Sequence, residues 1–292
     1  MHPPFRRAAI VGTGLIGGSF ALALRKYYPS CYVVGWDRPG VLIDAFGRGA
    51  IEEGIPDLAA ALEGAELIYL ALPVGHSIEL LPDIARLAPP NALVTDACST
   101  KRSICTVAAE SFHGGALFLG GHPMAGKEIS GIYAAEANLF RGSKYALIGK
   151  SEGEHSSTGR DPRISAFVKV IKRMGAVPMW LGAEAHDRAA AVISHLPQLL
   201  SVALAGVVRN QTDETGLPIT LAGRGLRDAL RLAGSPYSVW RDIILTNSDN
   251  LERVLDQMIQ ALEQMRGDLR TRVLEEEFSA AGELYKILRD LQ

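Results

Sequence analysis

The chain has 292 residues, 48% hydrophobic and 21% charged, a globular balance that supplies a sizeable core and excludes a disordered polymer. At roughly 100–200 residues per domain, this length predicts two domains. A net charge of −2, with basic residues scattered, lacks the field that gathers a phosphate backbone, so nucleic acid is not an expected partner.

The first half alternates short apolar runs with helical patterns. Strands are expected at Ala8–Val11, Cys31–Trp36, Leu67–Leu72, Ala92–Thr95 and Ala116–Leu119. Helices are expected at Leu15–Tyr28, after Pro39, at Ile78–Leu87 and at Ser103–Ser111. The strands are apolar throughout, which predicts an α/β fold: a Rossmann-like, mostly parallel sheet covered on both faces. Gly120–Gly142 reads as a loop, Tyr145–Ile148 as a strand and Lys150–Arg163 as an exposed polar loop. Ile164–Met174 reads as a helix and Val177–Leu181 as the last strand, which puts a domain boundary at Gly182.

Residues 183–292 carry no strand signal and predict an all-α domain. Helical patterns cover Glu184–Arg209, with Pro197 inside, then Ile219–Leu232, Tyr237–Thr246, Ser248–Arg266 and Leu269–Leu291. The apolar residues Leu251, Val254, Leu255, Met258, Ile259 and Leu262 cover a wide arc of one helix, as when one side packs within the chain and another against a partner; this predicts a homodimer.

Three cysteines, Cys31, Cys98 and Cys105, are odd in number and lack ligand spacing, which argues against a disulfide framework. Cys98 reads as a small buried filler. The seven histidines form no ligand-like cluster, so no metal is expected. The N-terminal residues do not read as a signal peptide, and no run reads as the ~20 apolar residues of a membrane crossing. A cytoplasmic protein without a membrane partner is expected.

The strand Ala8–Val11 leads into Gly12-Thr13-Gly14-Leu15-Ile16-Gly17, a G-x-G-x-x-G turn that opens a helix. Gly12 permits the tight turn, Gly14 lets backbone approach a pyrophosphate, and Gly17 lets helix pack on strand. The free N–H groups at the helix start, including those of Leu15 and Ile16, face phosphate charge. A second strand ends in Asp37, an acid placed to bind the adenosine ribose and repel a 2′-phosphate. NAD is therefore the expected cofactor, although Arg38 beside it is the residue type that holds such a phosphate. Pro73, where the third strand stops, is expected beside the same cofactor.

Ligands of such folds bind at the carboxyl ends of the strands, and that is where polar candidates are sought. His122 follows a strand within Gly120-Gly121-His122-Pro123-Met124-Ala125-Gly126-Lys127, where little core surrounds it. Oxidising an alcohol needs a group that takes the hydroxyl proton, and imidazole suits that near neutrality. Ser99, taken alone, reads as a helix N-cap, and His195 as a packed core residue. Arg227 and Arg231, four apart on one helix face, read alone as a solvated stripe.

In order, these segments resemble the motifs of the prephenate/arogenate dehydrogenase family of tyrosine biosynthesis. The motifs are G-x-G-x-x-G, T-D-x-x-S-x-K at Thr95–Lys101, H-P-x-A-G at His122–Gly126, S-H-L-P at Ser194–Pro197, R-D-x-x-R-x-A at Arg227–Ala233 and W-x-D-I at Trp240–Ile243. The resemblance spans about residues 8–246 and implies oxidative decarboxylation of prephenate to 4-hydroxyphenylpyruvate, with a helical domain that makes a dimer. It implies that His122 is the catalytic histidine bonded to the ring hydroxyl and Ser99 its partner. It further implies that Arg231 grips a substrate carboxylate, that His195 is a second active-site histidine, and that Arg227 and Lys101 lie near the site. The sequence departs from the pattern at Gln198, where histidine is common, at Leu230, where threonine is, and in the placement of Pro236.

Arogenate carries an ammonium where prephenate carries a ketone. Lys127, just past the H-P-M-A-G run, would repel the ammonium, so prephenate is expected over arogenate or dual cyclohexadienyl activity. The competing readings are another NAD(P) oxidoreductase, such as a β-hydroxyacid dehydrogenase or imine reductase, and a non-catalytic NAD-sensing module.

Overall fold

A strand with both faces covered has no polar positions to spare, and Ala8, Ala9, Ile10 and Val11 are accordingly all buried. The structure is a computed structural model that describes residues 3–127, 129–149, 161–212 and 214–290. Most of the expected exposed loop at Lys150–Arg163 lies outside the described residues. The N-terminal elements are β1 (Arg7–Val11), α1 (Leu15–Tyr27), β2 (Tyr32–Trp36), α2 (Pro39–Gly47), β3 (Glu53–Gly54), α3 (Leu58–Leu62), β4 (Leu67–Leu70), α4 (Val74–Leu87), β5 (Leu93–Asp96), α5 (Arg102–Ser111) and β6 (Leu117–Leu119). They form a parallel six-stranded sheet in the order β3-β2-β1-β4-β5-β6. The strand order reverses between β1 and β4, and the crevice beyond their carboxyl ends is where a ligand binds in such a sheet.

Two expectations change here. Helix α4 begins at Val74, a turn before Ile78, with Pro73 as its N-cap residue and Pro82 inside it. Its polar first turn, Val-Gly-His-Ser, hides the apolar period. The stretch Gly120–Gly142 is not all loop: Gly121–Pro123 form β7, and Ile132–Ala134 form a 3-10 turn. Strand β7 pairs antiparallel with β8 (Lys144–Ile148), which runs parallel to β9 (Val177–Leu181) after α6 (Pro162–Arg173). The last strands thus make a second sheet. The buried phenols of Tyr145 and Tyr69, 3.1 Å apart, tie it to the first, and Phe20 of α1 stacks on the Tyr69 ring at 3.8 Å.

The helical part comprises α7 (Ala183–Ala190), a π turn (Ala191–His195), α8 (Leu196–Gln211), α9 (Leu217–Thr220), α10 (Arg224–Leu230), a 3-10 turn (Arg231–Gly234), α11 (Tyr237–Thr246), α12 (Ser248–Asp268) and α13 (Leu274–Asp290). The helix expected over Ile219–Leu232 is broken at Gly223, and α13 starts five residues later than expected. Pro197 sits in the first turn of α8, just past the π turn, so the chain stays helical through it. The continuous run Ala183–Gln211 is, by length and composition, apolar enough to cross a bilayer, contrary to the expectation from sequence. The charged residues of this run, Glu184, Asp187, Arg188 and Arg209, lie towards its two ends and leave the stretch between them free of Asp, Glu, Lys and Arg.

Helix α12 divides along its length. Leu251 and Val254 join Ala191 and Leu196 in a small core, whereas Ile259, Leu262 and Met265 are exposed. Helix α13 has no buried residue, and Phe278, Leu284, Tyr285, Ile287 and Leu288 lie open on it.

Candidate active site

The glycine turn forms as its sequence requires. Gly12 adopts φ +93°, a region disfavoured for other residues, and donates its N–H to Trp36 O at 2.9 Å. A Cβ on Gly17 would lie 1.8 Å from Gly12 O, so only glycine lets α1 approach β1 this closely. Gly14 has open space where its Cβ would project, and it lines a cleft of about 570 Å3. No side chain caps the N-terminus of α1 and no acid occupies its first turn. The free N–H groups there suit an anion. At the end of β2, Asp37 accepts from Thr13 N and Arg38 N, each at 2.8 Å. Leu15, Ile16, Asp37, Arg38 and Pro73 line the cleft with Gly14. These features fit a dinucleotide: a glycine cradle, uncapped amides and a ribose-binding acid on one cleft.

The far wall of the cleft holds Ser99, Ala125, Gly126 and Lys127, with Ser235, Pro236, Ser238 and Val239 from the helical part. Ser99 stands on the β5–α5 loop. That loop is held by Asp96, which accepts from Cys98 N at 2.9 Å and Gly121 N at 3.0 Å. Lys101 is fully buried, forms an ion pair with Asp96 and donates to Gly121 O at 2.7 Å. Burial opposes the Lys101 charge, but Asp96 outweighs it and keeps the pKa above the ordinary lysine value. The pair therefore holds both the N–H and the C=O of Gly121, the residue before His122.

His122, partly buried on β7, lies 2.9 Å from His186 through its Nδ1. His186 Nδ1 lies 2.8 Å from Asp187 Oδ1. Asp187 is fully buried and also accepts from Lys101 N at 2.7 Å and Arg102 N at 2.9 Å. Burial pushes its pKa up, but these donors hold it below the usual carboxylate value. A carboxylate only accepts, so the proton between Asp187 and His186 sits on His186 Nδ1. Neutral His186 then accepts at Nε2, which places the His122 proton on Nδ1 and leaves the His122 Nε2 lone pair free. Burial lowers the His122 pKa well below 6.5. The ring is thus a neutral base whose Nε2 makes no hydrogen bond among the described residues.

His186 and Asp187 are functional candidates that sequence reasoning missed. The available signal was a consecutive His-Asp near the start of a long helical run, where neither residue is expected to be buried unpaired. His195 is buried at the end of the π turn. The extra residue of that turn brings it back towards Asp187, and Asn247 Nδ2 reaches both Asp187 O at 2.8 Å and His195 Nδ1 at 3.2 Å. Trp240 meets the His195 ring edge to face at 5.8 Å. Burial lowers the His195 pKa to about 4, partly offset by Asp187.

Two model matches cover most of the chain: prephenate dehydrogenase, nucleotide-binding domain, over residues 20–177, and prephenate dehydrogenase, dimerization domain, over residues 182–288. The prephenate dehydrogenase of Lactococcus lactis is 34% identical over 252 residues, 85% of this chain and 67% of that protein. The chain belongs to the prephenate dehydrogenase family. The crystal structure of the A. aeolicus prephenate dehydrogenase in complex with hydroxyphenyl propionate and NAD+ matches with a TM-score of 0.85 and 28% identity, over 97% of each chain. A Synechocystis arogenate dehydrogenase structure matches with a TM-score of 0.72 and 28% identity, over 97% of this chain and 96% of that one. The nucleotide-binding match begins past the glycine turn, so the turn's geometry is a separate argument for dinucleotide binding.

Three site expectations look different in the folded chain of this family member. Lys127 lines the cleft, but its ammonium is 2.5 Å from Glu136 and 3.1 Å from Ala134 O, so it is not the unpaired cation expected to repel an ammonium. Arg227 on α10 and Arg231 on the turn after it are exposed and do not line the cleft with Ser99. Their segment docks on α8, where Ser201 Oγ donates to Ala229 O at 2.8 Å and Gln198 Nε2 to Leu232 O at 2.9 Å. It enters the cleft wall at Ser235. Gln198, the departure from the family pattern, is thus a strut for that segment. The Cys98 thiol is buried, and burial raises its pKa, which makes it inert.

Proposed function

We propose that this chain is an NAD-dependent prephenate dehydrogenase. The observation that carries the reading is the His122–His186–Asp187 chain, which ends in a free imidazole base on β7, next to the loop that puts Ser99 on a nucleotide-shaped cleft. NAD, when bound, takes up the hydride from the hydroxyl-bearing ring carbon. Gly12, Gly14, Gly17 and the first amides of α1 would hold its pyrophosphate, and Asp37 its ribose.

His122 Nε2 accepts the ring hydroxyl proton as the carbonyl character grows at that carbon. The charge gained by His122 is shared through its Nδ1–H with His186 and, beyond it, Asp187. Ser99 hydrogen-bonds the same oxygen and fixes its position. The bond from ring to carboxylate then breaks, CO2 leaves, the electron pair of that bond completes the aromatic ring, and the oxygen takes its proton back from His122 to give 4-hydroxyphenylpyruvate. Arg231 is exposed and does not line the cleft that Ser99 faces, so no substrate carboxylate is assigned to it. Trp240 and His195 close the site from the helical side.

A second reading, arogenate as substrate, is favoured by one observation. Glu136 beside Lys127 offsets the positive charge that would discriminate against an ammonium. The deciding experiment supplies NAD with prephenate, then with arogenate, and follows absorbance of reduced nicotinamide. Faster turnover of prephenate and loss of turnover in His122→Asn are expected. No nicotinamide reduction with either substrate would overturn the reading, and faster turnover of arogenate would reassign the substrate.

The working form is a homodimer built on the helical part, supported by the exposed apolar surface of α12 and α13 and by the dimerization-domain match. Sedimentation of the wild type as a dimer, and of Ile259→Glu/Leu262→Glu as a monomer, is the expected result.

A further inference from the structure

His195 is held through Nδ1 by an amide whose orientation is decided by groups with no choice of role. Asn247 Oδ1 faces the Arg102 guanidinium at 3.3 Å, and a guanidinium only donates. Asn247 Nδ2 faces the Asp187 carbonyl oxygen at 2.8 Å, and a carbonyl only accepts. Turning the amide over would set donor against donor at one end and acceptor against acceptor at the other. A second arginine supports the same sense: Arg253 donates to Asn250 Oδ1 at 3.1 Å, so Asn250 Nδ2 points at Asn247 Oδ1, 2.9 Å away. Arg102 is anchored by its ion pairs with Asp249 and Asp187.

The amide nitrogen that donates to Asp187 O also faces His195 Nδ1 at 3.2 Å. Nδ1 must therefore accept, and the ring proton must sit on Nε2. Nε2 takes part in none of these bonds. We propose that Asn247 is a positioning residue that locks His195 in its Nε2–H tautomer, so that the ring meets the substrate as a hydrogen-bond donor to a carboxylate or ketone oxygen. This rests on the reading above that His195 lies at the substrate site. The other tautomer would turn a lone pair towards an anionic oxygen and repel it. The two active-site imidazoles thus present opposite faces, His122 an Nε2 lone pair and His195 an Nε2–H, each dictated by what its Nδ1 touches.

The test reads the proton directly. Long-range 1H–15N correlation spectra of histidine-labelled protein assign the protonated nitrogen of each ring, with His195→Gln identifying the His195 signals. Wild type is expected to show His195 protonated at Nε2; protonation at Nδ1 overturns the proposal without any variant. Asn247→Asp keeps an acceptor for Arg102 and offers His195 Nδ1 an acceptor in place of a donor, so the proton is expected to move to Nδ1. With it, KM for prephenate should rise about 10- to 100-fold, the usual loss for a hydrogen bond to a charged group, while kcat falls less and the NAD dissociation constant stays within about twofold. If Asn247→Asp moves the proton but leaves KM unchanged, His195→Ala separates two failures. A raised KM in His195→Ala refutes the role of Asn247, whereas an unchanged one refutes the placement of His195 at the substrate.

Discussion

His186 touches neither cleft wall, yet its removal should slow the reaction, and the size of the loss follows from the hydrogen bonds it makes. Replacing it with phenylalanine keeps a flat ring between β7 and α7. The substitution deletes the acceptor 2.9 Å from His122 Nδ1 and the donor 2.8 Å from Asp187. In the resting enzyme His122 loses a neutral hydrogen bond, and Asp187 loses a charge-assisted one whose cost falls on stability rather than turnover. When His122 carries the substrate proton, the lost partner is one to an imidazolium, worth about 1.5–3 kcal/mol. The difference of about 1–1.5 kcal/mol, at about 1.4 kcal/mol per factor of ten, should lower kcat/KM for prephenate about 5- to 12-fold. The assay is nicotinamide reduction at saturating NAD, beside an NAD titration and a thermal melt. NAD affinity should hold, because His186 lies outside the cleft that Gly14 and Asp37 line. A His186→Phe enzyme that keeps its fold and retains kcat/KM within about twofold would refute the claim that the relay supports the base.

Three further outcomes are expected. His195 falls from the ordinary 6.5 to about 4 through burial, so below pH 6.5 the unfolded chain binds a proton that the native protein refuses, and stability drops by about 3 kcal/mol by pH 4. Denaturant melts at pH 7 and pH 4 should show that loss reduced by this amount in His195→Gln, whose amide does not titrate. Asp37→Ser should raise the KM for NAD about 10- to 100-fold and allow turnover with NADP, measured with each cofactor in turn. Lys101→Met leaves the Asp96 charge buried and unpaired, and equilibrium unfolding should show a loss of about 3–5 kcal/mol, part of it recovered in Lys101→Met/Asp96→Asn, whose amide oxygen still accepts from Gly121 N.

The nucleotide half of the site was legible because each of its requirements is local. A left-handed glycine, a close helix–strand contact and an acid at the next strand's end are each satisfied within a few residues of the motif, so the spacing from Gly12 to Asp37 carries them. The short strand β7 was not legible: Gly-His-Pro has no strand signal, and it exists because β8 supplies hydrogen bonds from more than twenty residues away. The roles of His186 and Asp187 depend on that long-range pairing, since only β7 brings His122 to α7. The same holds for Asn247, whose meaning comes from Arg102 and Asp187 in distant segments. Lys127 was legible as a cleft residue but not as a paired one, because Glu136 lies beyond an intervening turn whose path no periodicity describes. The second sheet was missed for a related reason: Tyr145–Ile148 and Val177–Leu181 look like further strands of a parallel sheet, and only their pairing separates them.

The segment Asp96–Arg102 explains why groups from both halves can act together. Its Ser99 faces the cleft. Its Asp96 and Lys101 clamp both backbone groups of Gly121 and so set the strand that carries His122. Its own N–H groups at Lys101 and Arg102 hold the Asp187 carboxylate that orients His186. Thr100 bonds Thr246 at 2.7 Å, and the Arg102 side chain holds Asn247, the partner of His195. Seven residues therefore position the serine and both imidazoles, and none of the three can shift without straining a bond to the others. Coupling of that kind is carried by shared hydrogen-bond partners, so substitutions at Ser99, His122 and His195 should be far from additive. A gap opening between the halves would break the Asp187 and Asn247 contacts together. The helical part is thus fastened to the sheet at the candidate site residues and at Asp242, which accepts from Gly75 N at 3.0 Å at the start of α4.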